Sequence, residues 1–364
     1  MTLPPAGTSA QAVSELAQAP LTSAPIVSVD GIGKRFRLQR EWRDLLRAPF
    51  GSATSITALD DVTFDVTRNE CFGVLGPNGA GKTTLFRIIA GTLPPDQGTA
   101  HIAGSALTSR RGARAVSGQV TSVMASDRTL YWRLSASENL RLYASLHGIP
   151  RSAARARVDE VLGVVALHDQ RNRIVGELST GMRQRLLIAR ALIPKPSVLL
   201  LDEPTRSLDP IAAREFRDFI RNHIIAATAC AVLVATHSDQ EAFTLCDRVA
   251  FLDHGRVVAL GPIQQLAAQF AEWTYALWTR TPEHPVFTWL TANGRVSNLR
   301  QLETDSDRWT HLTMTITGGS DAASEVLNLV TAAGVRVAHF TSIAPTLAEL
   351  MQRVRHDSRS PRTC

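Results

Sequence analysis

Apolar and polar residues alternate through residues 26–29 and again through 62–66, the period of half-buried strands. Cys71–Leu75 (CFGVL) is a short unbroken apolar run that fits a buried strand. Past Thr84, the residues Leu85, Ile88 and Ile89 recur at helical spacing, which predicts a helix. Residues 120–124 read as another short strand. Residues 198–201 and 231–235 are continuous apolar runs of the kind found at the centre of a parallel sheet. Between these strands a helix is predicted to open at Ser137-Glu138-Asn139 and to run to about Leu146. A second helix covers 151–165, and Leu186, Leu187, Ala191 and Leu192 mark the apolar side of a third. Strand and helix alternate, so the expected class is α/β, a largely parallel sheet covered by helices. A basic stretch from Lys34 to Arg47 separates the first two strands, with a short helix predicted over 41–46 and a loop over 51–55. Residues 100–114 read as strand and polar loop. After Gly261-Pro262 the pattern changes: residues 273–280, 309–316 and 334–340 predict strands, and 322–333 and 346–354 predict helices.

Composition narrows the setting. With 364 residues, 44% hydrophobic and 20% charged, the chain has enough length for one large domain or two smaller ones. The net charge of +6 suits an anionic membrane face, nucleic acid, or no charged partner. No apolar run approaches the roughly 20 residues that a membrane-spanning helix requires. The first residues lack the basic and apolar regions of a secretory signal. Their Ala, Pro, Ser and Thr content predicts a disordered tail over 1–24, and a second, basic tail is expected over 355–364. Cys71, Cys230, Cys246 and Cys364 show no metal-ligand spacing, which points to a reduced, cytosolic setting. Cys71 and Cys230, inside apolar strands, read as small buried hydrophobes.

The chemistry begins where the apolar run 71–75 ends. Gly76-Pro77-Asn78-Gly79-Ala80-Gly81-Lys82-Thr83, followed by Thr84, has the form of a phosphate-binding loop. Its glycines let several N–H groups point into one hollow, and the following helix adds partial positive charge there. Lys82 is placed to reach outer phosphates, and the Thr83 hydroxyl to ligate Mg²⁺. The run 198–201 ends in Asp202-Glu203, at the carboxyl end of a strand where ligands of open α/β sheets gather. Asp202 fits a Mg²⁺ ligand, and Glu203 a general base for water. Ser179 and Gly181 at a helix start offer a hydroxyl and free N–H groups to an anion, or simply cap the helix. The strand at 231–235 delivers Thr236-His237, and this histidine is a candidate for positioning water at a terminal phosphate.

Taken in order, the phosphate loop, LSTGM (178–182), VLLLDEP (198–204), SLD (207–209) and TH (236–237) resemble the ATP-binding-cassette (ABC) ATPases. The resemblance covers about residues 26–269. It implies a P-loop NTPase cassette over 25–269, with a parallel core, an antiparallel β subdomain and a helical subdomain at about 127–180. A small α+β extension occupies 270–354. The resemblance further implies ATP and Mg²⁺ as ligands, and a head-to-tail homodimer. In that dimer the Lys82 loop of one copy faces Ser179, Thr180 and Gly181 of the other, and Asp209, just beyond the acids, is a further implied nucleotide-site residue. Phe36 falls where the family stacks an aromatic on adenine, although a core Phe is the alternative. Residues 126–134, with the basic insertion ending in Arg47-Ala48-Pro49-Phe50, resemble ATPases of the type-two exporter group. The implied partner is an integral-membrane permease, and the implied place is the inner face of the cell membrane. Tyr131-Trp132 lies where the permease is expected, or packs within the helical subdomain.

The sequence departs from the family at two places. Thr180 and Met182 stand where Gly and Gln are commonest. Ser126 and Asp127 stand where a glutamine normally contacts the metal and the attacking water, and Asp127 is expected to act there through a bridging water. Two rival functions remain at this level: a soluble ABC ATPase acting on ribosomes or DNA, and a nucleotide-binding regulator without turnover. The absence of a second cassette and of a long coiled coil disfavours the first, so no nucleic-acid partner is expected. Glu203 and His237 disfavour the second.

Overall fold

A computed structural model of the chain describes residues 24–37, 55–107, 112, 114, 116, 118–124, 129–270, 273–305, 308–316 and 319–343. The expected terminal tails, the insertion over 38–54, Ser126-Asp127 and the helix over 346–354 lie outside the described residues, apart from Ala24. The chain forms two compact units, Met1–Ile263 and Gln264–Cys364.

In the first unit, β1 (Val27–Arg37) and β2 (Ser55–Val66) form an antiparallel pair, and β3 is Cys71–Leu75. Helix α1 covers Lys82–Ile89, starting two residues before Thr84, and is followed by β4 (Gln97–Ile102), β5 (Ser105–Ala106) and β6 (Val120–Met124). The helical region contains α2 (Ala136–Leu146), α3 (Arg151–Val164) and α4 (Thr180–Leu192). Then come β7 (Val198–Asp202), α5 (Pro210–Phe219), β8 (Ala231–Thr236), α6 (Asp239–Leu245), β9 (Arg248–Asp253) and β10 (Arg256–Pro262). Strands β9 and β10 are additional to those the pattern predicts.

Two sheets result. The small one has the order β2-β1-β4-β5 and is antiparallel. The large one has the order β10-β9-β3-β8-β7-β6, parallel except for β10 at its edge. Every residue of β3 and β8 is buried, as a strand covered on both faces requires. The two sheets share one hydrophobic core, in which Phe64 stacks on Phe72 with ring centroids 4.9 Å apart. Parallel register sets the level of the strand ends: Leu75 pairs with Thr236, and Asp202 with Ala235. The carboxyl ends of β3, β7 and β8 therefore lie side by side.

Helix α2 starts earlier than the pattern suggests. Ser135 caps it, and Glu138 closes a reciprocal capping box. Asn139, fully buried, uses its side chain to hold the backbone of Tyr131 at 2.8 and 3.0 Å and the Ser135 carbonyl at 3.0 Å. A polar residue on the inner helix face thus braces the preceding loop.

The second unit begins along α7 (Ile263–Phe270) and continues as β11 (Trp273–Thr279), α8 (Pro285–Ala292), β12 (Val296–Thr304), β13 (Thr310–Ile316), α9 (Gly319–Ala332) and β14 (Val337–Ile343). The βαββαβ order and the antiparallel sheet β12-β13-β11-β14 form a ferredoxin-like arrangement. Leu277, Phe287, Leu290, Met314, Val326 and Val330 fill its core. Strand β12 and helix α8 are additional to the predicted elements. In β12 only Val296 is buried, so the strand carries little apolar signal. Among the described residues, no helix is long and apolar enough to cross a membrane.

Candidate active site

The loop after β3 is shaped by close backbone approach. A Cβ on Gly76 would stand 2.3 Å from the Leu252 carbonyl oxygen, so only glycine fits there. Gly81 has φ +108°, and a Cβ on it would meet the Ala58 oxygen at 2.4 Å. It caps α1 without a side chain and accepts from Leu85 N–H at 2.9 Å. Ala80 is buried and donates its N–H to Pro77 at 3.2 Å, which tightens the turn.

Lys82 folds back over this turn. Its Nζ donates to the Gly76 carbonyl at 2.7 Å and to the Pro77 carbonyl at 3.0 Å. Burial pushes the Lys82 amine below its ordinary range, while Glu203 and Asp202 pull it back up. The Thr83 hydroxyl donates to Asp202 Oδ2 at 3.0 Å. Burial raises the Asp202 carboxyl above the usual carboxylate range, and the Thr83 hydrogen bond offsets part of this. Glu203 has φ +49° and donates its N–H to the Ala235 carbonyl at 2.8 Å, so its side chain leaves the line of β7. His237 Nδ1 lies 2.9 Å from Glu203 Oε1, and Arg206 Nη1 donates to Glu203 Oε2 at 2.9 Å.

Asn78, Gly79, Gly81, Lys82, Thr83, Thr84, Asp202 and Glu203 line one open cleft of about 480 Å³. Gly76, Pro77 and Ala80 support it through backbone contacts. The structure thus gathers the phosphate-loop residues, both acids and His237 at the ends of β3, β7 and β8.

Other expected residues stand elsewhere. Ser179 Oγ accepts from Met182 N–H at 3.2 Å and caps α4, while Ser179 and Thr180 are exposed. A Cβ on Gly181 would meet nothing within 4 Å, so that turn is open. Asp209 caps α5, accepting from Ile211 and Ala212 at 3.1 and 3.0 Å. None of these residues lines the cleft. Phe36 is paired across the β1–β2 ladder with Ile56, which does line it. At 39% exposure Phe36 is not a core residue, and Lys34 Nζ sits 5.8 Å from its ring. Tyr131 and Trp132 are 52% and 57% exposed. The Trp132 ring also faces the Arg183 guanidinium at 5.1 Å, and Arg183 donates to the Leu178 carbonyl and, at 3.1 Å, to the Thr180 hydroxyl.

The cleft also contains residues that the sequence pattern does not single out. Ile56, Thr57 and Ala58 come from β2, Met124 from the end of β6, Arg87 from α1 and Arg206 from the turn after β7. Arg206 had a local signal, since it stands three residues after Glu203. The β2 residues had none, because they reach the cleft through long-range pairing.

Comparisons with known proteins point to one family. The sequence pattern of the family described as ABC transporter matches residues 59–206. The chain is 36% identical over 245 residues to Nod factor export ATP-binding protein I of Ralstonia nicotianae, covering 67% of this chain and 69% of that protein. It is 35% identical over 302 residues to daunorubicin resistance ATP-binding protein DrrA3 of Streptomyces coeruleorubidus, covering 83% of this chain and 92% of that one. Among solved structures, cbiO1 of Clostridium perfringens, part of the ABC transporter complex cbiONQ, superposes with a TM-score of 0.58 at 26% identity, covering 68% of this chain and 92% of that one. With a phosphate loop and two acids lining one cleft and a histidine bonded to one of those acids, the chain belongs to the ATP-binding subunits of ABC transporters and is an ABC ATPase.

Proposed function

We infer that this chain powers export of a drug, polysaccharide or lipid-linked substrate through a separate membrane permease, as a homodimer on the inner membrane face. The observation that carries this reading is the convergence of Lys82, Thr83, Asp202, Glu203 and His237 at three adjacent strand ends. The names of two relatives, one exporting Nod factor and one conferring daunorubicin resistance, support the direction of transport.

Within the cleft, the loop N–H groups and Lys82 hold the phosphates. Thr83 and Asp202 present two hard oxygen donors 3.0 Å apart, a fit for Mg²⁺, which accepts few protein ligands beside substrate phosphates. When bound, the ion neutralises charge on the phosphate oxygens. Glu203 accepts the proton of the attacking water, and His237 orients that carboxylate. The open Ser179–Gly181 turn lies off its own cleft, which fits a role at the phosphates of a second copy, N–H groups first. Phe36 and Ile56 offer an apolar rim to the base. The exposed Tyr131-Trp132 pair fits a permease contact.

Sedimentation with and without ATP tests the reading. Glu203→Gln is expected to retain ATP and to double in mass with it, and Lys82→Ala to do neither. A Glu203→Gln protein that binds ATP and stays monomeric would remove the head-to-tail dimer. Absence of phosphate release by the wild type beside its permease would favour a regulator.

A further inference from the structure

Both carboxylate oxygens of Glu203 are engaged, one by His237 and one by Arg206. Its backbone is anchored to Ala235 in a left-handed conformation, so these two partners decide where the carboxylate points. They differ in placement rather than in exposure. Both side chains are exposed, 53% for His237 and 65% for Arg206, but His237 directly follows β8 and does not line the cleft, whereas Arg206 stands on a turn. An ion pair with one solvent-exposed partner is weak and easily exchanged. Arg206 also lines the cleft beside Asn78, Lys82 and Glu203. Its guanidinium therefore has two possible anions: the carboxylate, or a terminal phosphate in the cleft. The phosphate carries more charge and three acceptor oxygens, and it suits the planar donor fork of arginine.

We propose that Arg206 distinguishes a nucleoside triphosphate from a diphosphate, pairing with Glu203 until a terminal phosphate arrives and then exchanging the carboxylate for it. The exchange frees Oε2 of Glu203 to face water. It also gives the triphosphate a contact that the diphosphate lacks, whereas the loop N–H groups and Lys82 serve both. Arg206 is thus a specificity and positioning residue. The proposal rests on reading this cleft as the nucleotide site.

Calorimetric titration with ADP and with a non-hydrolysable ATP analogue separates the two ideas. Arg206→Ala is expected to weaken the analogue by about tenfold, the size of one charge-assisted hydrogen bond less the exchanged ion pair. Its ADP affinity stays at the wild-type value, and Arg206→Lys recovers part of the loss. An equal change for both nucleotides, or no change for either, overturns the proposal while leaving the nucleotide site intact. Wild-type protein that binds no ADP would overturn both. A second measurement uses coupling. Glu203→Gln is expected to tighten the analogue, and that gain to shrink in the Arg206→Ala background. Strict additivity of the two substitutions would mean that Arg206 never leaves Glu203.

Discussion

The five parallel strands of the first unit and the antiparallel sheet of the second use similar materials and reach different ends. In the first, β3, β7 and β8 run the same way and pair in register, so residues just past their ends fall at one edge. Gly76, Asp202, Glu203 and His237 meet there. In the second, β11 runs against both β13 and β14, so successive strand ends fall on opposite edges. Its buried residues alternate instead, with Leu312, Met314 and Ile316 inward on β13. Parallel pairing gathers the residues beyond the strand ends, and antiparallel pairing disperses them. The first arrangement suits a site, and the second a packed platform. The match to DrrA3 is 302 residues long, more than the first unit contains, so the platform is at least partly shared with that relative.

The strongest way to separate the two units is to remove Lys82. Lys82→Ala is expected to lower ATP hydrolysis by at least about a hundredfold, as loss of a group aimed at developing phosphate charge does. Four of the six tryptophans, at 273, 278, 289 and 309, report on the second unit, and their thermal transition should not move. A shifted transition would show that the units unfold together. Conversely, Leu277→Ala on β11 should cost the second unit about 2–5 kcal/mol by leaving a core cavity. ADP affinity, read by calorimetry, should stay unchanged, and a large loss would break the comparison.

Smaller effects sharpen it within the first unit. Gly81→Ala forces a Cβ against the Ala58 carbonyl at φ +108° and should cost about 1–3 kcal/mol in denaturant melts, with weaker nucleotide binding. Ser135→Ala removes the α2 cap and should cost about 1 kcal/mol, with no change in nucleotide affinity. The smallest effect is electrostatic. Asp202 has its pKa raised by burial, so between its unfolded and folded values the nucleotide-free fold binds more protons than the unfolded chain. Its contribution to stability therefore falls as pH rises through that window. Asp202→Asn should flatten that dependence and raise the melting temperature slightly at neutral pH while abolishing hydrolysis. A lower melting temperature would show that the ionised carboxylate stabilises the empty site.

Legibility tracked how local each signal was. The run Cys71–Leu75, its glycine loop and the start of α1 are contiguous, and so are β7 and its two acids. Strand β12 was hidden because a nearly all-exposed edge strand has no apolar period. Phe36 left two readings open, and exposure excluded the core one. The start of α2 was placed one residue late, at Ser137 instead of Ala136, because the cap at Ser135 shows itself only through the reciprocal bond with Glu138.

The order of residues by itself determined the ligand class, because a phosphate hollow is made by consecutive backbone N–H groups and needs no distant partner. Tertiary structure alone decided that β2 supplies a wall of the cleft and that His237 meets the Glu203 carboxylate. Those contacts depend on strand pairing and register between segments far apart in the chain, which no local pattern encodes.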